Sequence, residues 1–120
     1  MASLAVVPAG AQAPGADLLG SLKKGEWEVR HRDGTANERI CVRTGRELIQ
    51  LRHQGQTCRR SSVESEQDEM AVQYVCRGKG YGRTSVRKET ATLVQLESHG
   101  VANDLPFHFT AEARYIGTCG

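Results

Sequence analysis

Apolar and polar residues alternate over short stretches through most of the chain beyond residue 25, and this period of two predicts β-strands. Trp27, Val29 and His31 share one face of the first such stretch, while charged residues occupy the other face. Asp33-Gly34 then supplies a tight hairpin signal before a second strand. The clearest alternation lies near the C-terminus, where one face carries Phe107, Phe109, Ala111, Ala113 and Tyr115. Such a stretch is typical of a half-buried strand.

Between these two regions, further strand signals are separated by polar or glycine-rich turns at 66–68 and 78–82. The expected strands cover 57–65, 69–77, 83–89 and 91–99, with a bulge in the last pair. Together with the first two strands and the last one, they make about seven. Val72, Tyr74 and Cys76 form the expected inward set of the strand 69–77.

One helical segment interrupts the strands. Thr44 and Glu47 fit the capping-box pattern, in which the Thr44 hydroxyl accepts the Glu47 N–H and the Glu47 carboxylate reaches back. Leu48 and Leu51 form an apolar stripe and Gly55 ends the segment, which makes a helix of about eight residues that packing must stabilise. The predicted fold is therefore mainly β, a curled antiparallel sheet or small open barrel with one short helix.

Four cysteines, Cys41, Cys58, Cys76 and Cys119, occur in an even number and without C-x-x-C spacing. Zinc ribbons, thioredoxin-like sites and haem attachment need that close pairing, so none of them is indicated. Aromatic residues make up only 5% of this short chain, and cross-links would compensate for a modest core. We therefore expect two disulfides and an oxidising compartment; the alternative is a set of scattered buried thiols.

The pairing of the cysteines follows from topology rather than from energy. Two pairings are predicted to stabilise the fold equally, by about 7 to 8 kcal/mol in total, through the chain entropy that they remove from the unfolded state. The first is Cys41–Cys58 with Cys76–Cys119, and the second is Cys58–Cys76 with Cys41–Cys119. Cys58 and Cys76 lie equally far from the centre of a turn at 66–68, so they would face each other. If the helix runs the length of the sheet, Cys119 reaches the end where the second strand leaves Cys41. This topology favours the second pairing, but a hairpin shifted by one residue would undo it.

Residues 1–24 are interpreted as a signal-peptide remnant and linker, and residues 25–120 as a single disulfide-stapled β domain. A short apolar stretch at 4–7 precedes Ala9-Gly10-Ala11, whose small residues suit signal peptidase, with cleavage expected after Ala11. This segment and the cysteines together predict a periplasmic or secreted protein. The alternative is a disordered tail rich in alanine, glycine and proline.

Charge and known motifs narrow the possible functions. The formal charge is +2, with 16 basic and 14 acidic residues spread through the chain, so nucleic-acid binding is not expected. No apolar run approaches the roughly eighteen residues of a transmembrane segment. The glycine run at 78–82 lacks the spacing of a phosphate-binding loop and reads as a turn. Neither a G-x-S-x-G motif nor paired inward carboxylates are present, so no catalytic residue is predicted and we expect a non-enzyme.

The remaining candidate chemistry comes from histidines and aromatic residues. The four histidines, His31, His53, His99 and His108, lack metal-ligand spacing, so neither a metal nor another cofactor is predicted. His31 stands out because it falls on the apolar face of its strand. Five inward aromatic residues either line a cavity for a small apolar ligand or form the core: Trp27, Tyr74, Phe107, Phe109 and Tyr115.

Several motifs occur together in a fixed order along the chain. They are Gly25-Glu26-Trp27-Glu28-Val29, Arg39-Ile40-Cys41-Val42 with Thr44 and Glu47, Cys58, Val72-Gln73-Tyr74-Val75-Cys76, and Arg114-Tyr115-Ile116-Gly117-Thr118-Cys119. The set resembles the domain-of-unknown-function 3617 family of bacterial exported proteins over residues 25–119. The methionine-rich strands of that family are nearly absent, since Met1 and Met70 are the only methionines. The resemblance implies a periplasmic or secreted location and brings no reaction with it.

Three functions from different classes fit these observations. The first is a non-enzymatic envelope protein that binds a small apolar ligand inside the curled sheet or a protein partner at an open sheet edge. The second is a histidine-based metal-binding or enzymatic domain. The third is a purely structural interaction module with a solid core.

Overall fold

The structure, a computed structural model, describes residues 18–120. Seven antiparallel strands form one open sheet in the order β2-β1-β7-β6-β5-β4-β3. The strands are β1 (Gly25–His31), β2 (Glu38–Val42), β3 (Arg59–Ser65), β4 (Glu69–Cys76), β5 (Gly80–Thr90), β6 (Leu93–Ala102) and β7 (Leu105–Gly117). The predicted mainly-β fold is confirmed. The signal segment and the cleavage site after Ala11 lie outside the described residues.

The alternating pattern of the sequence corresponds to the two faces of this sheet. On β1, Trp27, Val29 and His31 are all buried, and on β7 the inward residues Phe109 and Ala111 are buried as well. Charged residues of the same strands lie on the outer face. Burial of one face against the rest of the chain explains why the period-two pattern is so regular.

The crossing segment, residues 43–58, connects the two edge strands β2 and β3 by running over the inner face of the sheet. It buries Leu48, Ile49 and Leu51 in the core. The Thr84 hydroxyl of β5 donates a hydrogen bond of 2.6 Å to the carbonyl of Ile49. Since this segment carries the chain from one end of the sheet to the other, the condition set for the predicted disulfide pairing is met.

In detail, the crossing segment differs from the capped helix of eight residues expected there. It contains two short 3₁₀ turns, Arg46–Leu48 and Leu51–His53. Gly45 has φ 98°, a left-handed conformation that glycine adopts readily and that no continuous right-handed helix includes. Glu47 does reach back as expected, but Oγ1 of Thr44 accepts the N–H of Arg46 rather than that of Glu47.

The described residues before β1 pack against the domain. Residues 18–20 are helical, and Leu18, Leu19 and Leu22 are buried in the core. The carbonyl of Lys23 accepts a hydrogen bond of 2.8 Å from the Trp27 indole N–H. Part of the stretch predicted as linker therefore contributes to the core, whereas the proposed domain start at residue 25 stays a prediction.

The glycine-rich turn is shorter than its sequence predicts, because β5 already begins at Gly80. A Cβ atom at Gly82 would lie 2.5 Å from the phenol oxygen of Tyr74, which crosses over it from the neighbouring strand. Gly82 is thus a strand residue that makes room for a buried ring, a close approach that only glycine permits. The expected bulge of the next hairpin is confirmed between Lys88 and Thr90 of β5.

The two disulfides have the predicted connectivity, and each marks one end of the sheet. Cys58–Cys76 joins residues with Cα atoms 4.2 Å apart, and Cys41–Cys119 joins residues 5.7 Å apart. We call the two ends the Cys58 end and the Cys119 end. Pairing of Arg59 with Val75 confirms the expected hairpin register next to Cys58, although a bulge shifts it beyond Ser62.

Candidate functional site

The five aromatic residues proposed to line a ligand cavity all lie on the inner face, but they form two separate groups. Trp27 contacts Tyr115 edge-on near the Cys119 end, with ring centroids 6.4 Å apart. Phe107 and Phe109 stack near the Cys58 end, at 6.2 Å. Tyr74 packs beside His53, a neighbour of Phe107. The crossing segment and the leucines at 18–22 share the inner face with both groups, so the structure does not bring the five rings together.

Tyr74 and His53 instead form a buried hydrogen-bonded pair. Nδ1 of His53 lies 2.9 Å from the Tyr74 hydroxyl, and Nε2 lies 3.1 Å from the carbonyl of Lys79. Because the carbonyl can only accept, Nε2 carries the proton of the neutral ring and Nδ1 accepts from the tyrosine. Burial raises the pKa of Tyr74 to about 12, with a small opposing effect from Arg52. These are satisfied structural groups.

His31 occupies a second buried polar position near the same end. Its Nε2 lies 2.6 Å from Oε2 of Glu38, which also receives a hydrogen bond from Arg52. The Arg52 guanidinium covers the ring of Phe109, at 4.4 Å from its centroid. Nδ1 of His31 is buried without a hydrogen-bond partner among the described residues.

The four histidines are not gathered at one point. His99 and His108 lie on the outer face, with ring centroids 6.5 Å apart, and His108 pairs with Glu97. Within residues 18–120, no group of three or more His, Cys, Asp or Glu side chains is arranged to hold a metal ion. Over the same residues, no helix is long and apolar enough to cross a membrane.

A cavity of about 340 Å³ lies between the two edge strands, and we call it the seam cleft. Arg39, Ile40 and Cys41 of β2 line one side, and Arg60 of β3 lines the other. Residues of the crossing segment form the floor. The cleft exists because the sheet stays open and the crossing segment lies between its edges.

Three arginines at the seam cleft lack acidic partners. Arg39, Arg46 and Arg60 line the cleft, and none of them forms a salt bridge with a described residue. Burial, and then the neighbouring positive charge of Arg46, lower the pKa of the Arg60 guanidinium. The cleft therefore carries more positive charge than the one carboxylate in its lining, that of Glu47, offsets.

Glu47 also lines the cleft, but its carboxylate is engaged elsewhere. It accepts hydrogen bonds of 3.0 Å from the backbone N–H groups of Arg43 and Gly45, and a longer one from Thr44. Burial disfavours its ionised form, yet hydrogen bonding from its own backbone N–H, and then from those of Arg43, Thr44 and Gly45, holds the pKa of Glu47 below its ordinary value. Glu47 thus shapes the loop that presents Arg46 rather than pairing with it.

Two glutamines of the crossing segment complete the cleft. Gln50 is buried, and its Oε1 accepts a hydrogen bond of 3.0 Å from Arg60, while its Nε2 donates to the carbonyls of His53 and Gln56. It thereby orients the guanidinium of Arg60. Oε1 of Gln56 is buried without a hydrogen-bond partner among the described residues. An unpaired buried acceptor costs about 1 to 3 kcal/mol, so any rearrangement that supplies Gln56 with a donor would be favourable.

Sequence reasoning missed this cleft. Its arginines are far apart in the chain and belong to a balanced set of charges, so only the curvature of the sheet brings Arg39 and Arg60 together. The one local signal is the recurrence of glutamine at positions 50, 54 and 56, directly before Cys58.

Comparison with protein families finds a match over most of the chain. The family described as Protein of unknown function (DUF3617) matches residues 22–119. No curated protein and no solved structure matches the chain significantly.

Proposed function

This chain belongs to the protein family of unknown function DUF3617, and from that premise we propose that it is an exported, non-enzymatic domain that binds a protein partner of the cell envelope at its seam cleft. One observation carries the proposal: both edge strands and the crossing segment line a single cavity with unneutralised arginines. Clefts of a few hundred Å³ with a few convergent polar groups are common binding sites.

An exported location is supported by the two disulfides, which persist in oxidising compartments. The segment Ala9-Gly10-Ala11 is the proposed processing site. N-terminal sequencing of the protein recovered from the periplasm or medium of its own host should find a start after Ala11. Thiol labelling of the denatured, unreduced protein should find no free thiol, and two or more reactive cysteines would contradict an exported, oxidised state.

A protein partner is favoured over a small apolar ligand because the inner face is already occupied. Trp27 and Tyr74 are almost completely covered by the protein itself, at 0% and 1% exposure. The first four residues of β3, by contrast, are exposed at the edge of the sheet. An exposed edge strand can accept an extended segment of another chain.

Site-specific photocrosslinking in the native host tests the partner site. A photoreactive residue at Gln54, an exposed residue of the seam cleft, should crosslink a defined protein. The matched control is Gln73, which is equally an exposed glutamine but lies on the outer face of β4. The partner identified must then bind the purified oxidised domain. An excess of the wild-type domain, which carries no photoreactive residue, should reduce its crosslinking at Gln54. Crosslinks from Gln73 alone would contradict the proposal, and native mass spectrometry that finds a retained apolar molecule would replace it with the small-ligand alternative.

A further inference from the structure

We infer that the seam cleft recognises a carboxylate next to a backbone N–H, as an extended peptide presents at its C-terminus or at an Asp or Glu side chain. The inference rests on the proposed function, because it specifies the chemistry by which a partner chain is bound. Four features of the cleft support it: unneutralised arginines, an oriented guanidinium, an orphaned acceptor and an adjoining open edge.

The charge of the cleft selects an anion. Arg39, Arg46 and Arg60 find no acidic partner among residues 18–120, and the carboxylate of Glu47 is held by backbone N–H groups. A guanidinium presents parallel N–H donors that match the two oxygens of a carboxylate. An anion bound here would relieve the repulsion between Arg46 and Arg60.

The hydrogen bond from Arg60 to the buried Gln50 preorganises the Arg60 guanidinium for binding. Gln50, which is 7% exposed, accepts from one nitrogen of the Arg60 guanidinium at 3.0 Å. That bond restricts the side chain to one arrangement while leaving other N–H groups available, which lowers the entropy cost of binding.

The orphaned acceptor narrows the ligand class further. Oε1 of Gln56 needs an N–H or O–H donor, and Gln56 lines the same cleft as the arginines, so a rotation of its side-chain amide would bring this covered oxygen to a bound ligand. A phosphate monoester dianion offers acceptors only and would leave this oxygen unpaired. A peptide carboxylate has a backbone N–H within its own residue, so a single ligand satisfies both requirements.

The open edge of the sheet provides the direction of approach. Residues 59–62 pair with β4 on one side, and β3 is the last strand of the sheet. Arg60 belongs both to this edge and to the cleft. An extended chain lying along residues 59–62 would therefore place its carboxylate at the arginines.

The test titrates the oxidised domain with four short probes, followed by NMR chemical shifts. The first is an acetylated alanine tetrapeptide with a free C-terminus, and the second is the same peptide amidated. The third is an amidated peptide with one internal Glu, and the fourth is methyl phosphate at pH 8, where it is a dianion without an O–H donor. We expect at least one carboxylate peptide to bind at least tenfold more tightly than both the amidated alanine peptide and methyl phosphate, with shifts at the cleft. The first and third probes distinguish a C-terminal from a side-chain carboxylate.

Three variants, one of them a matched control, connect this binding to particular groups. Arg60→Gln should weaken the carboxylate peptide about tenfold, the loss expected for one charged hydrogen bond. Arg77→Gln removes the same charge from an exposed residue outside both the cleft and β3, and it should change the affinity less than twofold. Gln56→Leu should weaken the peptide about fivefold without lowering the melting temperature, since its Oε1 has no partner in the domain. A depsipeptide, in which an ester replaces the peptide bond that would donate to Gln56, should bind the wild type about fivefold more weakly than the peptide does. Gln56→Leu should not weaken the binding of the depsipeptide further.

The inference is overturned if the amidated alanine peptide or methyl phosphate binds as tightly as the carboxylate peptides, or if Arg77→Gln and Arg60→Gln have equal effects. Its failure differs from failure of the proposed function. Crosslinks at Gln54 combined with no carboxylate preference would reject only the ligand chemistry. Carboxylate binding at the cleft without any crosslinked protein would reject the envelope partner and retain the site.

Discussion

The two ends of the sheet are stabilised by different chemistry. At the Cys119 end, Trp27 and Tyr115 pack edge-on beneath buried leucines, and the disulfide joins the second strand to the C-terminal tail. At the Cys58 end, the inner face carries hydrogen-bonded polar groups, including His53 and Tyr74, and the disulfide closes a single hairpin.

This difference indicates that the Cys119 end mainly stabilises the fold, whereas polar groups that could bind a partner lie toward the Cys58 end. Apolar contacts at the Cys119 end leave few polar groups in need of a partner, so that end is suited to hold the fold. Buried polar groups need hydrogen-bond partners, and the two without one among residues 18–120, Nδ1 of His31 and Oε1 of Gln56, belong to residues near the Cys58 end. The seam cleft runs from Cys41 at the Cys119 end to Gln56, so the site that we propose binds a partner extends into the less complete end.

Removing the Cys41–Cys119 disulfide should have the largest effect on stability. The cysteines are 78 residues apart, and chain entropy predicts that Cys41→Ala with Cys119→Ala lowers the free energy of unfolding by about 4.5 kcal/mol. Urea denaturation followed by tryptophan fluorescence measures it, because Trp27 is buried near this end. A loss below about 1 kcal/mol would mean that packing alone holds the Cys119 end.

The Cys58–Cys76 disulfide should contribute less. It spans 18 residues, so Cys58→Ala with Cys76→Ala is expected to cost about 3 kcal/mol in the same urea experiment. A cost larger than that of the first pair would reverse the comparison and show that the polar end depends more strongly on its cross-link.

Alkaline pH should weaken the Cys58 end. The pKa of Tyr74 is about 12 in the folded protein and about 10 when unfolded, so the unfolded chain loses this proton first. This contribution is fully present below pH 10 and is lost as the pH rises toward 12. Tyr74→Phe should cost about 2 kcal/mol at pH 8, since Nδ1 of His53 loses its donor, and should abolish this part of the alkaline loss.

Thermal melts of the wild type and of Tyr74→Phe between pH 8 and 12 measure both effects. Tyr81→Phe, at an exposed tyrosine on the outer face, is the matched control and should leave the alkaline loss unchanged. If Tyr74→Phe retains the full loss of stability above pH 10, Tyr74 is not its source.

Acid pH should weaken the start of the crossing segment, which leaves the Cys119 end. The pKa of Glu47 is lower in the folded protein than in the unfolded chain, so its contribution is present above the ordinary carboxyl pKa and is lost as the pH falls. Glu47→Gln should cost about 1 kcal/mol at pH 7 and less at pH 3, measured by urea denaturation. Glu66→Gln, at an exposed hairpin residue, should change stability by less than about 0.5 kcal/mol.

Local patterns predicted most of the fold. The turn at 66–68 is coded by adjacent polar residues, so the facing positions of Cys58 and Cys76 could be counted from it, and the disulfide pairing followed. Next to the turn, Ser65 pairs with Met70, one residue off the counted register, and the bulge between Ser62 and Glu64 restores that register before the strands reach the disulfide.

Features that depend on distant contacts were not predictable in the same way. Gly82 reads as a turn residue until Tyr74 of the neighbouring strand is placed across it, and the capping pattern at Thr44 gives no sign that Gly45 is left-handed. The seam cleft depends on the curvature of the whole sheet, which no local spacing encodes. Arg39 and Arg60 therefore look like ordinary surface charges in the sequence.

The strand order also determines when the domain can finish folding. Strands β3 to β7 pair with their neighbours along the chain, whereas β1 must wait for β7, the last strand to be synthesised. Cys58 and Cys76 can meet as soon as their hairpin has emerged, but Cys41 has no native partner until Cys119 appears. During that interval the nearest thiol along the chain is Cys58, so a transient Cys41–Cys58 bond is the expected misfolded intermediate. A disulfide isomerase that reopens this bond would then set the rate at which the native domain accumulates.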